Sequence, residues 1–441
     1  MKKIIIAIRI IVGVLFIFSG LIKANDPHGL GYKMQEFFEV WNEGLAGSSF
    51  FLKNFFISIF EFFHDHALLL AVVMIALEII AGFAVIIGWQ MRFFSWLLLL
   101  MIVFFTFLTG YAWLAVKPDG SPRFTNCGCF GDCLPITPDI SFTKDVILTI
   151  LILFLFFFRK KIVPAFSKRT SLLFILAVTI FSFGVQWFTL NYLPVLDCLP
   201  FKKGNDIQEK MKMPANAIPD STVITFVYEK QGQKVEFTAD KFPADFSADT
   251  YKYVDRYDKL IRKGKNNEPP IKGFILSGNT NEDSTQHVLN QPFAVLLFAE
   301  DFTTPVKEWS AEFEKLYAMA KEKNIPVFMI TTRTNEAPAA IAGTSFSGIK
   351  IFKCDVTLVR TAARTNPCVY LLKAGSIVGK WSAKRFVKTQ SVLTGIPAQA
   401  QTNEQVMEDV NAMGKEINAL YDSVINADSL KQQKIDSAGK N

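Results

Sequence analysis

Histidine, cysteine and charge are all scarce in this chain. Its 441 residues include four histidines and six cysteines, and charged residues make up 20%. Neither an internal repeat nor a low-complexity tract occurs, which excludes a repeat architecture. The net charge of +7 is modest, and basic and aromatic residues do not interleave along a soluble face. We therefore expect no nucleic-acid partner.

Long apolar runs, by contrast, are abundant in the first half of the chain. Half of all residues are hydrophobic and 43 are phenylalanine. A membrane span needs about 20 apolar residues to cross about 30 Å of hydrocarbon. Five segments meet this need wholly or in part: 4–21, 67–87, 93–114, 146–158 and 171–193. A short buried helix is the alternative for the fourth segment, and a signal peptide is the alternative for the first. The lipid bilayer is the expected partner.

Basic residues mark segments that fall on one side of a five-span bundle. The segment 159–169 holds five basic residues and no acid, Arg92 lies in the link after the second span, and two lysines precede the first. Short basic loops face the cytoplasm. The sequence therefore predicts a multi-pass protein of the cytoplasmic (inner) membrane with a cytoplasmic N-terminus. Segments 22–66 and 115–143, and the chain after residue 193, would be extracytoplasmic, in the periplasm.

Two charged residues and one apolar segment stand out around these spans. Glu78 lies in the middle of the second span, where a carboxylate is costly unless it is paired, protonated or hydrated. It is a candidate proton or polar site, and a structural contact between helices is the alternative. Arg9 lies nearer the cytoplasmic end, where its side chain is expected to snorkel. The segment 50–63, interrupted by Lys53 and Glu61, predicts an interfacial helix, with a re-entrant segment as the alternative.

Four cysteines are expected at the outer mouth of the bundle. Cys127, Cys129 and Cys133 lie within seven residues of the third loop, and Cys198 follows the fifth span. Thiols this close exchange or pair in an oxidising compartment. Three interpretations stay open: a redox-active dithiol, a structural disulfide set and a zinc site. The zinc site lacks paired Cys-x-x-Cys motifs, and the nearest histidines lie in another loop, so no metal is expected.

Two short motifs in the first 200 residues are shared with a known group of membrane proteins. They are Phe18-Ser19-Gly20-Leu21-Ile22-Lys23 in the first helix and Cys127-Gly128-Cys129-Phe130-Gly131-Asp132 between the third and fourth helices. In both, the chain resembles the DoxX/MauE family. MauE-like members are linked to disulfide formation during maturation of a periplasmic dehydrogenase, and DoxX members to quinone-coupled oxidation of sulfur compounds. The resemblance implies a redox-associated membrane protein and makes a quinone the candidate cofactor. Cys133 is an addition to the motif, which leaves the working pair open.

The second half alternates strands and helices from about residue 291. The predicted strands are 293–299, 325–331, 349–354, 368–372 and 377–381, and the predicted helices are 306–323 and 358–364. Strands separated by helices imply a central sheet flanked by helices. Pro367 precedes the last hairpin, where a cis X–Pro bond is expected. This order resembles a thioredoxin-like fold of the TlpA type.

The likeness ends where thioredoxins carry their reactive thiols. A Cys-x-x-Cys motif should follow the first core strand, but Glu300 and Asp301 follow it here and no cysteine is near. Without a thiolate nucleophile, a standard thioredoxin reaction is not expected. The domain is interpreted as a binding or docking module, with a relic of the fold as the alternative. Cys354 and Cys368 are disulfide candidates, and exchange of Cys368 with the membrane cysteines is the alternative.

The sequence thus predicts an all-α transmembrane bundle followed by an α/β domain. The predicted parts are the bundle with its cysteine loop (1–195, loop 115–143), a linker with a β-hairpin (196–290), the thioredoxin-like domain (291–400) and a helical, partly disordered tail (401–441).

The leading hypothesis is a possible oxidoreductase that exchanges disulfides or electrons at the outer face with an extracytoplasmic thiol/disulfide partner protein. Cys127 and Cys129 would react, Cys133 or Cys198 would resolve, and Glu78 would serve a proton or quinone step. The alternative is a non-enzymatic scaffold or assembly factor whose cysteines form permanent bridges.

Overall fold

The computed structural model describes most of the chain. The described residues are 2–117, 122–124, 126–128, 131–219, 221–262, 264, 266–278, 282–400 and 415. Two predictions fall outside them. One concerns Cys129, and the other is the helical tail from residue 401, of which only Lys415 is described.

Helices make up most of the described part of the chain before residue 200. They are α1 (Lys2–Asn25), α2 (Pro27–Ala46), α3 (Lys53–Asp65), α4 (Ala67–Ile87), α5 (Met91–Leu114), α6 (Pro138–Phe158) and α7 (Lys168–Tyr192). Five of them, all except α2 and α3, are long and apolar enough to cross a membrane, which confirms the predicted helical bundle. The fourth span is longer than predicted, because α6 begins at Pro138 and its first turns contain polar residues that interrupt the apolar run.

Segment 22–66 contains a helix that the sequence analysis missed. Asp26 ends α1 and caps α2 by accepting a hydrogen bond from Gly29 N, and Pro27 occupies the first turn of α2. Both residue types favour a helix start at these positions. The helix predicted over 50–63 is α3, and none of its residues is buried. Its location at a membrane surface stays a prediction.

Arg9 does not snorkel, so this prediction is wrong. Its Nε donates to Val85 O at 3.0 Å and its Nη2 to Ile86 O at 2.6 Å. The last carbonyls of a helix lack partners within it, and those at the end of α4 hold the guanidinium inside the protein. Ala165 N donates to Ile87 O at 2.8 Å. The basic segment 159–169 therefore lies at this same end of the bundle.

Helices α1 and α4 approach each other closely because glycines face one another. A Cβ at Gly82 would lie 2.8 Å from Gly13 O, and a Cβ at Gly20 would lie 2.6 Å from an Ile79 side-chain carbon. Small residues let helix backbones approach in this way. The contact also brings the end of α1 against Glu78, in the middle of α4.

A three-stranded antiparallel sheet follows the bundle. Its strands are β1 (Ser221–Lys230), β2 (Gln233–Thr238) and β3 (Lys252–Arg262), in the order β2-β1-β3. The predicted hairpin is confirmed as β1 and β2, joined at Gln231 and Gly232, whose φ angles are 52° and 80°. Two positive φ angles are typical of a type I′ hairpin turn. Strand β3 was missed because its sequence is rich in charge.

A five-stranded mixed sheet forms the core of the C-terminal part. Its strands are β4 (Ala294–Ala299), β5 (Val327–Thr331), β6 (Lys350–Lys353), β7 (Cys368–Lys373) and β8 (Ser376–Ser382), in the order β6-β5-β4-β7-β8. Strands β4, β5 and β6 are parallel, whereas β7 and β8 pair antiparallel. All five strands were predicted.

Helices and loops cover both faces of this sheet. The helices are α8 (Ile207–Lys210), α9 (Thr285–Leu289), α10 (Ser310–Glu322), α11 (Ala337–Ala340), α12 (Val356–Ala362) and α13 (Phe386–Thr394). Leu297 packs with α10 and α13, while Leu296 packs on the opposite face with Phe201 and Phe274. The core of the sheet therefore includes residues from both sides of the boundary predicted at residue 291.

The structure contradicts a disulfide between Cys354 and Cys368. Cys354 follows β6 and Cys368 begins β7, with β5 and β4 between those two strands. At about 4.8 Å per strand the separation is about 14 Å, about twice the Cα distance that a disulfide can bridge. Both are buried thiols, and burial raises the pKa of each to about 12. A thiol with such a pKa is inert toward exchange.

The close approach of α1 and α4 makes a testable prediction. The change Gly82→Val places carbon atoms where Gly13 O now lies, so we expect a loss of about 1–3 kcal/mol of stability from overpacking. The matched control is Gly184→Val, because a Cβ added at this glycine of α7 would meet nothing within 4 Å. Thermal unfolding of the two variants in detergent measures the difference. Equal midpoints would contradict the packing described.

Candidate functional site

A disulfide ties the loop before α6 to the chain that leaves α7. Cys133 lies in a 3-10 turn and is bonded to Cys198, with their Cα atoms 4.9 Å apart. Cys198 is exposed, and Cys133 is partly exposed. Asn25, at the end of α1, supports the bridge because its side chain forms two hydrogen bonds with the backbone of Leu196, at 2.8 and 2.9 Å. We call this end of the bundle the cysteine end.

Cys127 lies at the cysteine end but is buried. Its Sγ forms a hydrogen bond of 2.9 Å with Ser141 Oγ, near the start of α6. It also lines a cavity of about 30 Å³ together with Lys23 and Lys33, which is room for one or two water molecules. The structure thus brings together three of the four cysteines that the sequence placed at the bundle mouth. The fourth, Cys129, lies outside the described residues.

Glu78 has the ionic partner that its place in an apolar span requires. Lys23 Nζ lies 2.5 Å from Glu78 Oε1, and Ser19 Oγ donates to Oε2 at 3.1 Å. Only 4% of the Lys23 side chain and 1% of the Glu78 side chain are exposed. The sequence analysis missed Lys23 as the partner. Its position at the end of the first-helix motif was the available signal, but 55 residues separate the pair and only helix packing joins them.

Asp145 is a second buried carboxylate in the bundle, also missed from the sequence. Thr109 Oγ1 donates to its Oδ2 at 3.1 Å, and Lys144 Nζ lies 2.8 Å from its Oδ1. Asp145 directly precedes the apolar run 146–158, so it fell outside the predicted span. An acid within one turn of such a run is a signal that could have identified it.

Polar groups continue from Cys127 into the bundle. Ser141, which contacts Cys127, lies four residues before Asp145 on α6, so the two share one helix face. Asp145 and Glu78 line one cavity of about 30 Å³. The small cavity at Cys127 is lined by Lys23, the ionic partner of Glu78. This series of polar side chains links the cysteine end with the middle of the bundle.

The C-terminal domain docks on the cysteine end through Arg364. Its Nε lies 2.8 Å from Asp26 Oδ2, and its Nη2 lies 2.5 Å from Asp132 Oδ2. Only 5% of the Arg364 side chain is exposed. Burial alone would lower the pKa of Arg364, but the two carboxylates raise it overall. Charge-assisted contacts of a guanidinium with two carboxylates fix orientation as well as distance.

A second ion pair joins the domain to the chain that leaves α7. Lys380 Nζ, in β8, lies 2.6 Å from Asp197 Oδ2. Nearby, the guanidinium of Arg385 lies 5.0 Å from the centre of the Tyr192 ring at the end of α7. The domain is therefore held on both sides of the Cys133–Cys198 bridge.

The loop after β4 makes an ionic contact with the membrane half. Glu300 Oε1 accepts from Arg360 Nε at 2.6 Å, and Tyr32 OH of α2 donates to Glu300 Oε2 at 3.3 Å. The bond between Asn366 and Pro367 is cis, as predicted. Asn366 Nδ2 donates to Asp301 Oδ1 at 2.7 Å. This loop therefore faces the membrane half of the protein, with no thiol at its tip.

His28 and Tyr32 fill the space beneath these arginines. Their rings stack with centroids 5.7 Å apart. Burial, together with the positive charges of Arg364 and Arg360, lowers the pKa of His28 to about 4. Burial and the nearby Glu300 carboxylate raise the pKa of Tyr32. Both side chains are therefore neutral at pH 7, and the contact depends on a neutral imidazole.

A large groove lies beside the bundle. It has a volume of about 940 Å³ and is lined mainly by apolar and aromatic residues of α2, α5 and α6, among them Phe107, Tyr111 and Phe142. Arg123 and Glu43, which form an ion pair, also line it. Sites for small organic molecules have this size and character. Among the residues that the structure describes, no cluster of three or more His, Cys, Asp and Glu side chains could hold a metal ion.

Comparison with known proteins relates the membrane half to one family. The family model described as "Methylamine utilisation protein MauE" matches residues 1–158, which include Glu78 and the loop cysteines up to Cys133. A family model described as "Domain of unknown function (DUF8463)" matches residues 222–263, the segment of the three-stranded sheet. No curated protein and no solved structure matches the chain. The match to MauE and the five apolar helices show a multi-pass membrane protein with a C-terminal α/β region.

The buried ion pair in the bundle yields a prediction about stability. Glu78→Gln leaves the ammonium group of Lys23 buried without its counter-ion, so we expect a loss of about 3–5 kcal/mol. The double variant Lys23→Met with Glu78→Leu removes both charges and should recover most of the loss. Thermal unfolding in detergent measures both. A Glu78→Gln protein as stable as the wild type would show that the pair is not formed.

His28 makes docking depend on pH. Its folded-state pKa lies below the ordinary value of about 6.5, so it adds stability above pH 6.5 that is lost as the pH falls toward 4. Protonation would place a third positive charge beside Arg364 and Arg360. We expect the unfolding midpoint to fall across this window, and to fall less in His28→Gln. Identical pH profiles for the two proteins would rule out His28 as the cause.

Proposed function

We propose that this membrane protein carries out thiol–disulfide exchange at the extracytoplasmic face of the cytoplasmic membrane. The observation that carries the proposal is the Cys133–Cys198 bridge, whose Cys198 side is exposed at the same end of the bundle as Cys127. Exposed disulfides are the ones that tend to be labile, regulatory or catalytic. The buried thiols Cys354 and Cys368, by contrast, take no part.

A dithiol on an extracytoplasmic partner protein supplies the electrons that reduce the Cys133–Cys198 bridge. A partner thiolate attacks Cys198 Sγ, the more exposed sulfur, and Cys133 leaves as a thiolate. The second partner thiol then attacks the mixed disulfide and releases Cys198. The partner gains a disulfide, and two electrons and two protons pass to Cys133 and Cys198.

Reoxidation requires an acceptor for these electrons. We assign the next step to Cys127 and Cys129, and the final one to a quinone, which takes up two electrons and two protons as a dithiol closes to a disulfide. The groove of about 940 Å³ is large enough for such a molecule, whereas the cavities beside Cys127 and Glu78, each about 30 Å³, are not. Glu78 and Asp145 are the groups we assign to the accompanying protons.

The proposed orientation rests on charge. The basic segment 159–169 lies at the end of the bundle away from the cysteines, and basic loops favour the cytoplasm. The cysteine end and the C-terminal domain would then share the periplasmic side, where disulfides persist. This placement also gives the exposed Cys198 access to extracytoplasmic partners.

We further propose a thioredoxin-like fold for the domain over residues 291–400. Its support is the strand order β6-β5-β4-β7-β8, with β7 antiparallel to β4, and the cis bond before Pro367. Because Glu300 and Asp301 occupy the place of the usual thiols, its role would be docking. The similarity of residues 1–158 to the MauE family supports a redox-linked role for the bundle. That family's description names methylamine utilisation, and no residue of this chain points to methylamine.

The alternative function is that of a scaffold or assembly factor. The observation that favours it is the buried contact of Arg364 with Asp26 and Asp132, which fixes the domain to the bundle. In that case the Cys133–Cys198 bridge would be permanent. The two functions therefore differ in whether this bridge is ever opened by a partner.

Trapping of the partner tests the proposed exchange. Cys133→Ser leaves Cys198 as a single thiol that can attack the disulfide of the oxidised partner in the reverse of the exchange. Because Cys133 is no longer there to release the partner, we expect this mixed disulfide to accumulate in intact membranes. Non-reducing electrophoresis after rapid alkylation should show this species, and a reductant should remove it. Cys133→Ser with Cys198→Ser is the matched control and should form none. No trapped species from Cys133→Ser, with a wild-type bridge that never opens, would favour the scaffold.

A further inference from the structure

Each cysteine of the exposed bridge directly follows an aspartate that is held by the C-terminal domain. Asp132 precedes Cys133 and is paired with Arg364, while Asp197 precedes Cys198 and is paired with Lys380. The bridge therefore lies between two ion pairs that come from one part of the domain, the loop before β7 and the strand β8. Arg364 lies three residues before Pro367, in the loop that leads into β7, and Lys380 lies in β8, the strand paired with β7.

Both ion pairs are shielded from water on the side of the domain. Only 5% of the Arg364 side chain and 7% of the Lys380 side chain are exposed, whereas 37% of the Asp132 side chain and 21% of the Asp197 side chain are. Surface ion pairs contribute little because water screens them, whereas buried pairs hold their partners firmly and are costly to break on one side. The docking of the domain therefore depends on where the two aspartates lie relative to each other.

We propose that Arg364 and Lys380 are positioning residues that couple the redox state of Cys133–Cys198 to the docking of the C-terminal domain. The bridge holds the Cα atoms of its two cysteines 4.9 Å apart, and so sets the spacing of Asp132 and Asp197. Reduction removes this restraint, so the bridge no longer holds the two aspartates at the spacing that fits both cations at once.

The coupling acts in both directions. If the bridge strengthens docking, docking must strengthen the bridge by the same factor. In the reaction with glutathione, the sulfur–sulfur bond of Cys133–Cys198 breaks and a sulfur–sulfur bond forms between two glutathione molecules. Two protons move from the glutathione thiols to the protein thiols. Loss of either cation should therefore make the bridge easier to reduce.

Reduction loosens the domain but does not free it completely. Asp26 also binds Arg364, and the contact of Arg385 with Tyr192 does not involve either aspartate of the bridge. The expected change is thus an increase in local opening around residues 360–367 and β8. The buried strand β4 should be unaffected.

The test is a redox titration of the purified full chain in glutathione buffers. The bridged fraction is measured by alkylation and peptide mass. We expect Lys380→Gln and Asp197→Asn each to lower the ratio of reduced to oxidised glutathione at the midpoint by about fivefold, a typical size for coupled sites. The double variant should shift it no further, because each single change already removes the same contact.

Three controls separate positioning from a general loss of structure. Lys380→Arg keeps the charge and should retain the wild-type midpoint. Lys315→Gln, an exposed position on α10, should not shift it. In the wild type, glutathione should increase hydrogen exchange in residues 360–367 and not in β4, and this measurement needs no variant to fold.

The inference rests on the proposed exchange only in that the bridge must be reducible. A bridge that titrates normally but has the same midpoint in Lys380→Gln, Asp197→Asn and the wild type would overturn the coupling and leave the exchange intact. A bridge that no glutathione ratio opens would overturn both. Unchanged hydrogen exchange on reduction would also overturn the coupling.

Discussion

The bond between Cys133 and Cys198 constrains both halves of this protein. It joins the loop before α6 to the chain that leaves α7, and the C-terminal domain forms an ion pair with each of these segments. The bundle and the domain meet around this link, and partial exposure is typical of disulfides that react.

Electrostatics in the bundle follow from the same architecture. Glycines bring α1 and α4 together, so that Lys23 meets Glu78 away from water. Asp145 stands beside this pair, on the helix that also carries Ser141, the partner of Cys127. Buried ionisable groups in a span are expensive and are usually retained for function. Their position between the cysteine end and the middle of the bundle is what favours a role in proton movement.

Much of the fold, but little of the site, could be predicted from the sequence. Five apolar runs and the positions of the five strands along the second half depend on local patterns, and both were recovered. The pairing of Lys23 with Glu78 and the contact of Arg364 with Asp26 join residues 55 and 338 positions apart. Such contacts depend on packing between elements, which no local pattern contains. Asp145 was missed for a different reason. The predicted span began only where the sequence becomes continuously apolar, which is after the polar turn that contains this acid.

The most direct measurement is the state of the cysteines in intact membranes, read with an alkylating reagent that cannot cross the bilayer. A thiol–disulfide exchange protein should show Cys133 and Cys198 partly bridged and partly alkylated from the periplasmic side, in proportions that change with an added oxidant or reductant. Cys354 and Cys368 should react only after unfolding. A bridge that is complete under every condition, or cysteines labelled only from the cytoplasmic side, would contradict exchange at this face.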